Sequence, residues 1–246
     1  MQRQALTRML TVSLFISAVL VLPAQNRPSS QAAKVTAHME VSRSAASAAR
    51  HMPMAPPAVL WLKPLSPALA SQSVIASKTG YTLLQKNKMF TPHLLVVPTG
   101  SVVQFPNADP FFHNVFSLFN GQRFDLGLYE AGKTKAVAFS REGVSYIFCN
   151  IHPDMSAVVV SLSTPFYSIA DANGSFHIDG MPAGEYEMHV WVEGEQQSSL
   201  DKWTRRVSVH SGEQDLGMIA THLPSAPLQH ANKFGQPYEP AGKPIY

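Results

Sequence analysis

Short runs of β-branched and aromatic residues recur through the middle of the chain, and they limit its fold more than any other feature. Turn-forming pairs such as Asn120-Gly121 and Glu142-Gly143 separate many of these runs. Apolar runs of this length and spacing predict the strands of a sandwich or barrel. The runs are residues 81–84, 94–97, 102–105, 137–139, 146–148 and 158–162.

Similar patterns outside this region predict a second, smaller β unit. Residues 185–192 alternate apolar and polar side chains with the period of two that a half-buried strand shows. The further candidate runs are 35–41, 59–62, 167–170 and 175–178. Charged residues make up only 14% of the chain and there are 19 prolines, which is typical of a loop-rich, all-β protein rather than a helical bundle.

The first 24 residues have the features of a secretory signal peptide. Arg3 and Arg8 form a basic start, and residues 9–22 are uncharged and mostly apolar. A membrane span needs about 20 apolar residues, so this shorter run predicts a cleaved signal over residues 1–24, with an uncleaved anchor as the alternative. We therefore expect a periplasmic or otherwise exported bacterial protein. It would have no stable membrane insertion after cleavage, and a flexible segment, 25–34, would follow the signal.

Net charge and cysteine content exclude two further classes. The formal net charge of +3 includes Arg3 and Arg8, so the chain lacks the dense basic surface of a nucleic-acid-binding protein. With a single cysteine, Cys149, it cannot form an internal disulfide. An exported protein has to protect such a thiol by burial or by a metal.

Cys149 opens a spacing that indicates metal chemistry. Cys149, His152 and Met155 offer a thiolate, an imidazole and a thioether at i, i+3 and i+6. Soft sulfur ligands with imidazole select copper, and two His, one Cys and a weak axial Met make a trigonal electron-transfer site. The second imidazole has to come from elsewhere. His113, next to Asn114 and thirty-six residues upstream of Cys149, is the candidate.

Three other interpretations of Cys149 remain open at this point. Cys149 could be a buried thiol with no function, as most free cysteines are. A Cys-plus-two-His set also suits zinc, although Met155 would be an unusual fourth ligand. A nucleophilic Cys–His pair would need an orienting third group and an oxyanion hole, and no motif for either is visible. Asp109, Asp125 and Asp171 lie near turns, where aspartate forms local hydrogen bonds.

The motif Cys-x-x-His-x-x-Met after a strand, with an upstream His113-Asn114-Val115, resembles the cupredoxins. Longer stretches resemble bacterial exported cupredoxin-like proteins labelled methylamine-utilization or plastocyanin-like. They are 105–109, 113–117, 124–129 and 149–152. The resemblance implies a Greek-key cupredoxin-like domain over residues 72–163.

The same resemblance implies a role for each site residue. His113, Cys149 and His152 would be the equatorial ligands of one type 1 copper ion, and Met155 would be the weak axial ligand. Asn114 would tie the His113 segment to the Cys149 loop by hydrogen bonds. His152 would present its edge to the surface and pass the electron.

The later strands resemble a carboxypeptidase-regulatory or prealbumin-like sandwich, on the residues 167–176 and 181–186. That resemblance implies a second unit over 165–222 and requires earlier strands, for which 35–65 are available. The cupredoxin-like domain would then be inserted into the second sandwich. A cupredoxin followed by a few added strands is the alternative. Residues 223–246 are rich in proline and predict a flexible tail.

Together these features predict a periplasmic blue copper protein that transfers electrons between redox partner proteins docking transiently near His152. We expect it not to be an enzyme. The alternative is a copper-binding or structural module of the cell envelope. A copper enzyme would need a second cluster of histidines, and the sequence shows no His-x-His pair.

Overall fold

The computed structural model describes residues 32–43, 55–72, 80–118, 121–223 and 231–238. The predicted signal peptide, 1–24, and most of the segment 25–34 lie outside the described residues. Strands dominate the described part, so the all-β fold class predicted from the sequence is confirmed. The strands are β1 (Ala33–Arg43), β2 (Ala58–Pro64), β3 (Tyr81–Thr82), β4 (Leu84–Lys86), β5 (Met89–Thr91), β6 (Leu94–Pro98), β7 (Ser101–Pro106), β8 (His113–Ser117), β9 (Phe124–Tyr129), β10 (Thr134–Phe139), β11 (Gly143–Cys149), β12 (Ser156–Leu162), β13 (Tyr167–Ile169), β14 (Ser175–Met181), β15 (Gly184–Val192), β16 (Arg205–Val209) and β17 (Glu213–Leu223). Two short helices, α1 (Pro67–Gln72) and α2 (Gln197–Leu200), and a 3-10 turn, Asp201–Trp203, accompany them.

An inner sandwich is built from the middle of the chain. Its two sheets have the orders β10-β7-β3 and β6-β12-β11-β8-β9. Side chains from both sheets, including Phe105, Phe139, Ile147 and Val159, are completely buried between them. All six predicted runs lie in these strands or in β4, whereas β8 and β9 were not predicted as strands.

The strands of a second, outer sandwich lie before and after the inner sandwich in the sequence. Its sheets have the orders β14-β1-β17 and β13-β2-β15-β16. Strands β1 and β2 precede the inner sandwich, yet each lies between two strands that follow it. The chain therefore begins the outer sandwich, builds the inner one from residues 81–162, and then returns to complete the outer one.

Strand β12 packs on both of its faces and joins the two sandwiches. Ala157 and Val159 belong to the inner core, whereas Val158, Val160 and Leu162 belong to the core of the outer sandwich. A strand buried on both faces has no need of alternating polar residues, which explains the continuous apolar run at 157–160. Through β12, the five-stranded sheet that carries the predicted ligands packs against both cores.

The tail predicted as flexible over 223–246 contains a section that lies against the inner sandwich. Lys233 N–H donates to the side chain of Asn150, just after β11, and Tyr238 donates to the carbonyl of Cys149, the last residue of β11. The rest of the predicted tail, apart from Leu223, lies outside the described residues. Within the described ranges, no helix is long and apolar enough to cross a membrane.

Candidate metal centre

Three of the four predicted ligands converge at one end of the five-stranded sheet. Cys149 Sγ lies 3.6 Å from His113 Nδ1 and 3.5 Å from His152 Nδ1. The ligand atoms of these three residues all lie within 4.8 Å of one another. Nitrogen and sulfur atoms bound to one ion at about 2.1 and 2.3 Å lie about 3.6–3.8 Å apart, so the cluster fits a shared metal ion.

Strand pairing explains why residues so distant in sequence meet. His113 is the first residue of β8 and Cys149 is the last residue of β11, and these strands run antiparallel with Cys149 opposite Val115. The antiparallel register therefore brings the start of one strand to the end of the other.

The loop between β11 and β12 supplies the remaining residues. It turns tightly because Met155 N–H donates to His152 O at 3.1 Å and Cys149 N–H donates to Met155 O at 3.1 Å. Met155 is completely buried in the same core as Cys149. Its thioether thus belongs to the apolar interior beneath the loop, and its role as an axial ligand stays a prediction.

The sulfur of Cys149 lies in a dry pocket lined by backbone amides. Burial raises the pKa of the Cys149 thiol, and hydrogen bonds from the backbone N–H groups of Ile151, Asn114 and His152 offset only part of that rise. An activated nucleophilic cysteine has a lowered pKa, so this environment argues against the Cys–His nucleophile. Metal binding would have to displace the thiol proton, since the thiolate is the ligand.

Asp109 orients His113, and the sequence did not reveal this role. His113 Nε2 donates to Asp109 Oδ2 at 2.9 Å, which leaves Nδ1 directed at Cys149 as the free ligand atom. Asp109 also accepts the backbone N–H groups of Asn87 at 2.6 Å and Lys88 at 3.0 Å. Burial would raise the pKa of Asp109, but these hydrogen bonds outweigh it and hold that pKa below its usual range. The one sequence signal of this role was that Asp109 lies four residues before His113.

His152 is only partly buried, in contrast to His113, which is completely buried. Burial lowers the pKa of His152 to about 4, and electrostatic interactions with His113 and Lys88 act in the same direction. At neutral pH His152 is therefore a neutral imidazole, the form that binds metal. Phe111 packs against both histidine rings, with centroids 5.3 Å from His113 and 5.5 Å from His152.

Asn114 joins the two ligand segments through its backbone rather than its side chain. Its carbonyl accepts the N–H of Asn150 at 3.3 Å, and its own N–H points at the sulfur of Cys149. The side-chain Nδ2 donates instead to Asp125 Oδ1 at 2.7 Å. The hydrogen-bonded connection implied by the family resemblance is thus present, and backbone atoms of Asn114 make it.

Several solved cupredoxin structures are similar to part of this chain. A purple cupredoxin from Nitrosopumilus maritimus is 25% identical with a TM-score of 0.32, over 34% of this chain and 100% of that one. The copper-containing nitrite reductase from Thermus scotoductus SA-01 is 19% identical with a TM-score of 0.33, over 50% of this chain and 28% of that one. A reduced Cu(I) form of an amicyanin mutant is 18% identical with a TM-score of 0.32, over 42% of this chain and 98% of that one. Likenesses of this size carry no inference about function.

A family match falls mainly on the later strands. The family described as polysaccharide lyase family 4, domain II, matches residues 151–215. This range includes most of the segment that resembles a carboxypeptidase-regulatory sandwich, and it names a different family for it. No curated protein sequence matches the chain. The matched family is not specific to methylamine-utilization proteins.

Proposed function

We propose that the chain is a type 1 copper protein that carries single electrons between partner proteins. The observation that supports this most is the convergence of His113, Cys149 and His152, whose ligand atoms lie within 4.8 Å of one another. These three residues would hold the ion, and the thioether of Met155 would be a further, weaker ligand. A bound copper ion supplies a one-electron couple between Cu(I) and Cu(II).

The donor set favours copper over zinc. Zinc sites are completed by cysteine, histidine, carboxylate or water. The nearby carboxylate of Asp109 is already engaged by His113 and by two backbone N–H groups. The same loop also carries the buried thioether of Met155, and soft sulfur ligands select copper.

The chain's own residues hold the ligand side chains in one arrangement. Asp109 fixes the ring of His113, and the backbone amides of Asn114, Ile151 and His152 surround the sulfur of Cys149. Strand β12, which follows the ligand loop in the same sheet, is buried on both faces. A site held in this way needs little ligand movement when the charge of its ion changes, and this property favours electron transfer over substrate chemistry. We therefore propose that the protein is not an enzyme.

His152 is the proposed exit for the electron because it is the more exposed of the two histidines. Large apolar side chains at the surface occur near the same end of the sheet. Phe112 is 48% exposed beside His113, and Leu128, opposite Asn114 in the sheet, is 62% exposed. Exposed apolar patches mark interaction sites. We propose that redox partners dock there transiently, in the periplasm if the predicted signal peptide directs export.

The proposal is tested by adding Cu(II) to purified protein and recording the visible spectrum. A type 1 site gives an intense thiolate-to-copper charge-transfer band, which Cys149→Ser should abolish. His93→Gln, at a partly exposed histidine outside the cluster, is the matched control and should leave the band unchanged. A colourless protein that binds no copper would overturn the proposal.

A second candidate is a copper-binding structural module of the cell envelope. The shared core between the two sandwiches favours it, because an inserted metal domain could stabilise the outer unit. Voltammetry separates the two functions. A reversible one-electron wave supports electron transfer, whereas bound copper with no reversible wave supports the structural role.

A further inference from the structure

Residues 231–238 lie against the loop that carries Cys149, eighty or more residues away in sequence. Tyr238 Oη donates to the carbonyl of Cys149 at 2.9 Å. Lys233 N–H donates to Asn150 Oδ1 at 2.9 Å, and Lys233 Nζ lies 2.8 Å from Asp125 Oδ2. This section therefore contacts a predicted ligand, the residue after it, and the neighbouring strand β9.

The section has a compact structure of its own. Asn232 Oδ1 accepts the N–H groups of Phe234 at 2.9 Å and Gln236 at 3.0 Å, and Asn232 N–H donates to Gln236 O at 2.9 Å. Gly235 has a φ of 76°, a conformation that favours glycine. This turn fixes the position of Lys233 beside its partners Asn150 and Asp125.

The contacts of Lys233 close a ring of polar groups beside the sulfur. Asp125, which pairs with Lys233, accepts Asn114 Nδ2 through its other oxygen at 2.7 Å. Asn114 in turn accepts the N–H of Asn150, and Asn150 accepts the N–H of Lys233. The ring thus joins β8, β9 and the Cys149 loop, and the C-terminal section supplies its last member.

We infer that residues 231–238 form a clasp that holds the loop Cys149–Met155 in its metal-binding arrangement, with Lys233 and Tyr238 as positioning residues. Tyr238 holds the carbonyl of Cys149, and Lys233 holds the side chain of the next residue. That the ion is copper rests on the proposed function. The contacts of the clasp are made by residues of this chain and do not depend on which ion binds.

Amide hydrogen exchange on the metal-free, full-length protein tests the clasp without any metal. The probes are the N–H groups of Cys149 and Asn150, which donate to Met155 O and Asn114 O. Tyr238→Phe removes the hydrogen bond to the Cys149 carbonyl. Lys233→Met removes the ion pair with Asp125, whereas the bond to Asn150 is made by the Lys233 backbone and stays. Each of these losses is expected to speed local opening by roughly threefold to tenfold. The double variant should exchange faster than either single one, and Lys233→Arg, which keeps the charge, should restore slow exchange.

Two matched controls remove the same kinds of bond from other parts of the molecule. Tyr186→Phe removes a tyrosine–carbonyl bond of 2.8 Å to Pro182, and Lys63→Met removes an ion pair of 3.0 Å with Glu142. Neither should change exchange at Cys149 or Asn150. Unchanged exchange in the double clasp variant, or equal acceleration by the controls, would overturn the clasp.

A second measurement separates the clasp from the proposed function. In copper-loaded protein, the double variant should release copper faster and shift the charge-transfer band, because the loop that orients Cys149 is looser. If wild-type protein binds no copper, the electron-transfer proposal fails, while the exchange experiment still decides the clasp. If copper binds normally and the double variant matches wild type in exchange, release and band position, the clasp fails and the copper site stands.

Discussion

At the scale of single residues, Asp109 connects the candidate metal centre to a neighbouring turn. It accepts one hydrogen bond from His113 and two from the backbone at Asn87 and Lys88. It therefore fixes the imidazole and the turn between β4 and β5 at the same time. A carboxylate behind a metal-binding histidine fixes its tautomer and raises its basicity.

Asp109→Asn tests this function, because an amide keeps the shape and loses the charge. We expect copper affinity to fall by about 10- to 100-fold, as for other partners of ligand histidines. Competition titration with a chelator of known affinity measures the change. Asp171→Asn, at an exposed turn in the outer sandwich, is the matched control. Equal affinities for Asp109→Asn and wild type would contradict the assignment.

Met155→Leu tests the axial ligand at the same scale. The two side chains have similar volumes, so the protein should stay folded, with a loss below about 1.5 kcal/mol in the free energy of unfolding. Without the thioether, the more highly charged Cu(II) loses a donor, so we expect the reduction potential to rise. Voltammetry measures this, with Met188→Leu in the outer core as control. An unchanged potential would show that Met155 serves only as core packing.

At the scale of elements, β12 does more than follow the Cys149 loop. One face of the strand completes the inner core and the other packs within the core of the outer sandwich. Trp191 of β15 donates to Tyr146 of β11 at 3.0 Å. This hydrogen bond adds a polar link between the sheet that contains β15 and the sheet that contains β11. Because the sandwiches share a core, we expect their unfolding to be coupled.

Val160→Ala probes this shared core. Loss of two buried methyl groups should lower the free energy of unfolding by about 2 kcal/mol. Urea denaturation should still show one transition when it is followed by fluorescence and by the copper band. Met218→Ala, at a side chain that is 56% exposed, should change stability little. Two separate transitions would show that the sandwiches unfold independently.

At the scale of the whole molecule, an ion pair links the edge of the inner sandwich to the outer one. His93, just before β6, lies 2.6 Å from Glu193, just after β15, and its Nδ1 lies 3.2 Å from the carbonyl of Ser156. The hydrogen bond with Glu193 raises the pKa of His93 above its ordinary value of 6.5, against the opposite effect of burial. The folded state therefore favours protonated His93 more than the unfolded state does.

The sign of the resulting pH dependence follows from linkage. Stabilisation by His93 is fully present below its unfolded pKa, near 6.5, and is lost as the pH rises through the higher folded pKa. We expect wild type to exceed His93→Gln in free energy of unfolding at pH 5.5, with a smaller difference at pH 8.5. The effect should stay below about 1 kcal/mol because the pair is partly exposed. Urea denaturation of both proteins at both pH values measures it, and a larger difference at pH 8.5 would contradict the assignment.

Local patterns in the sequence were sufficient for the fold class and for much of the site. Alternation and short apolar runs predicted an all-β chain, because the alternation of a strand and the residue preferences of a turn involve only neighbouring residues. The spacing of Cys149, His152 and Met155 placed three candidate ligands on one loop for the same reason. The strand β8, by contrast, is buried at every position, so its residues show no alternation.

Only the tertiary structure decided which distant groups complete the centre. The hydrogen bond between Asp109 and His113, and the contacts of Lys233 and Tyr238, depend on strand register and on where the chain returns after the outer sandwich. Such contacts join residues as far as 108 positions apart, and no local pattern marks them. The sequence by itself determined that a thiol, an imidazole and a thioether share one loop. The packing of two sandwiches determined what holds that loop in place.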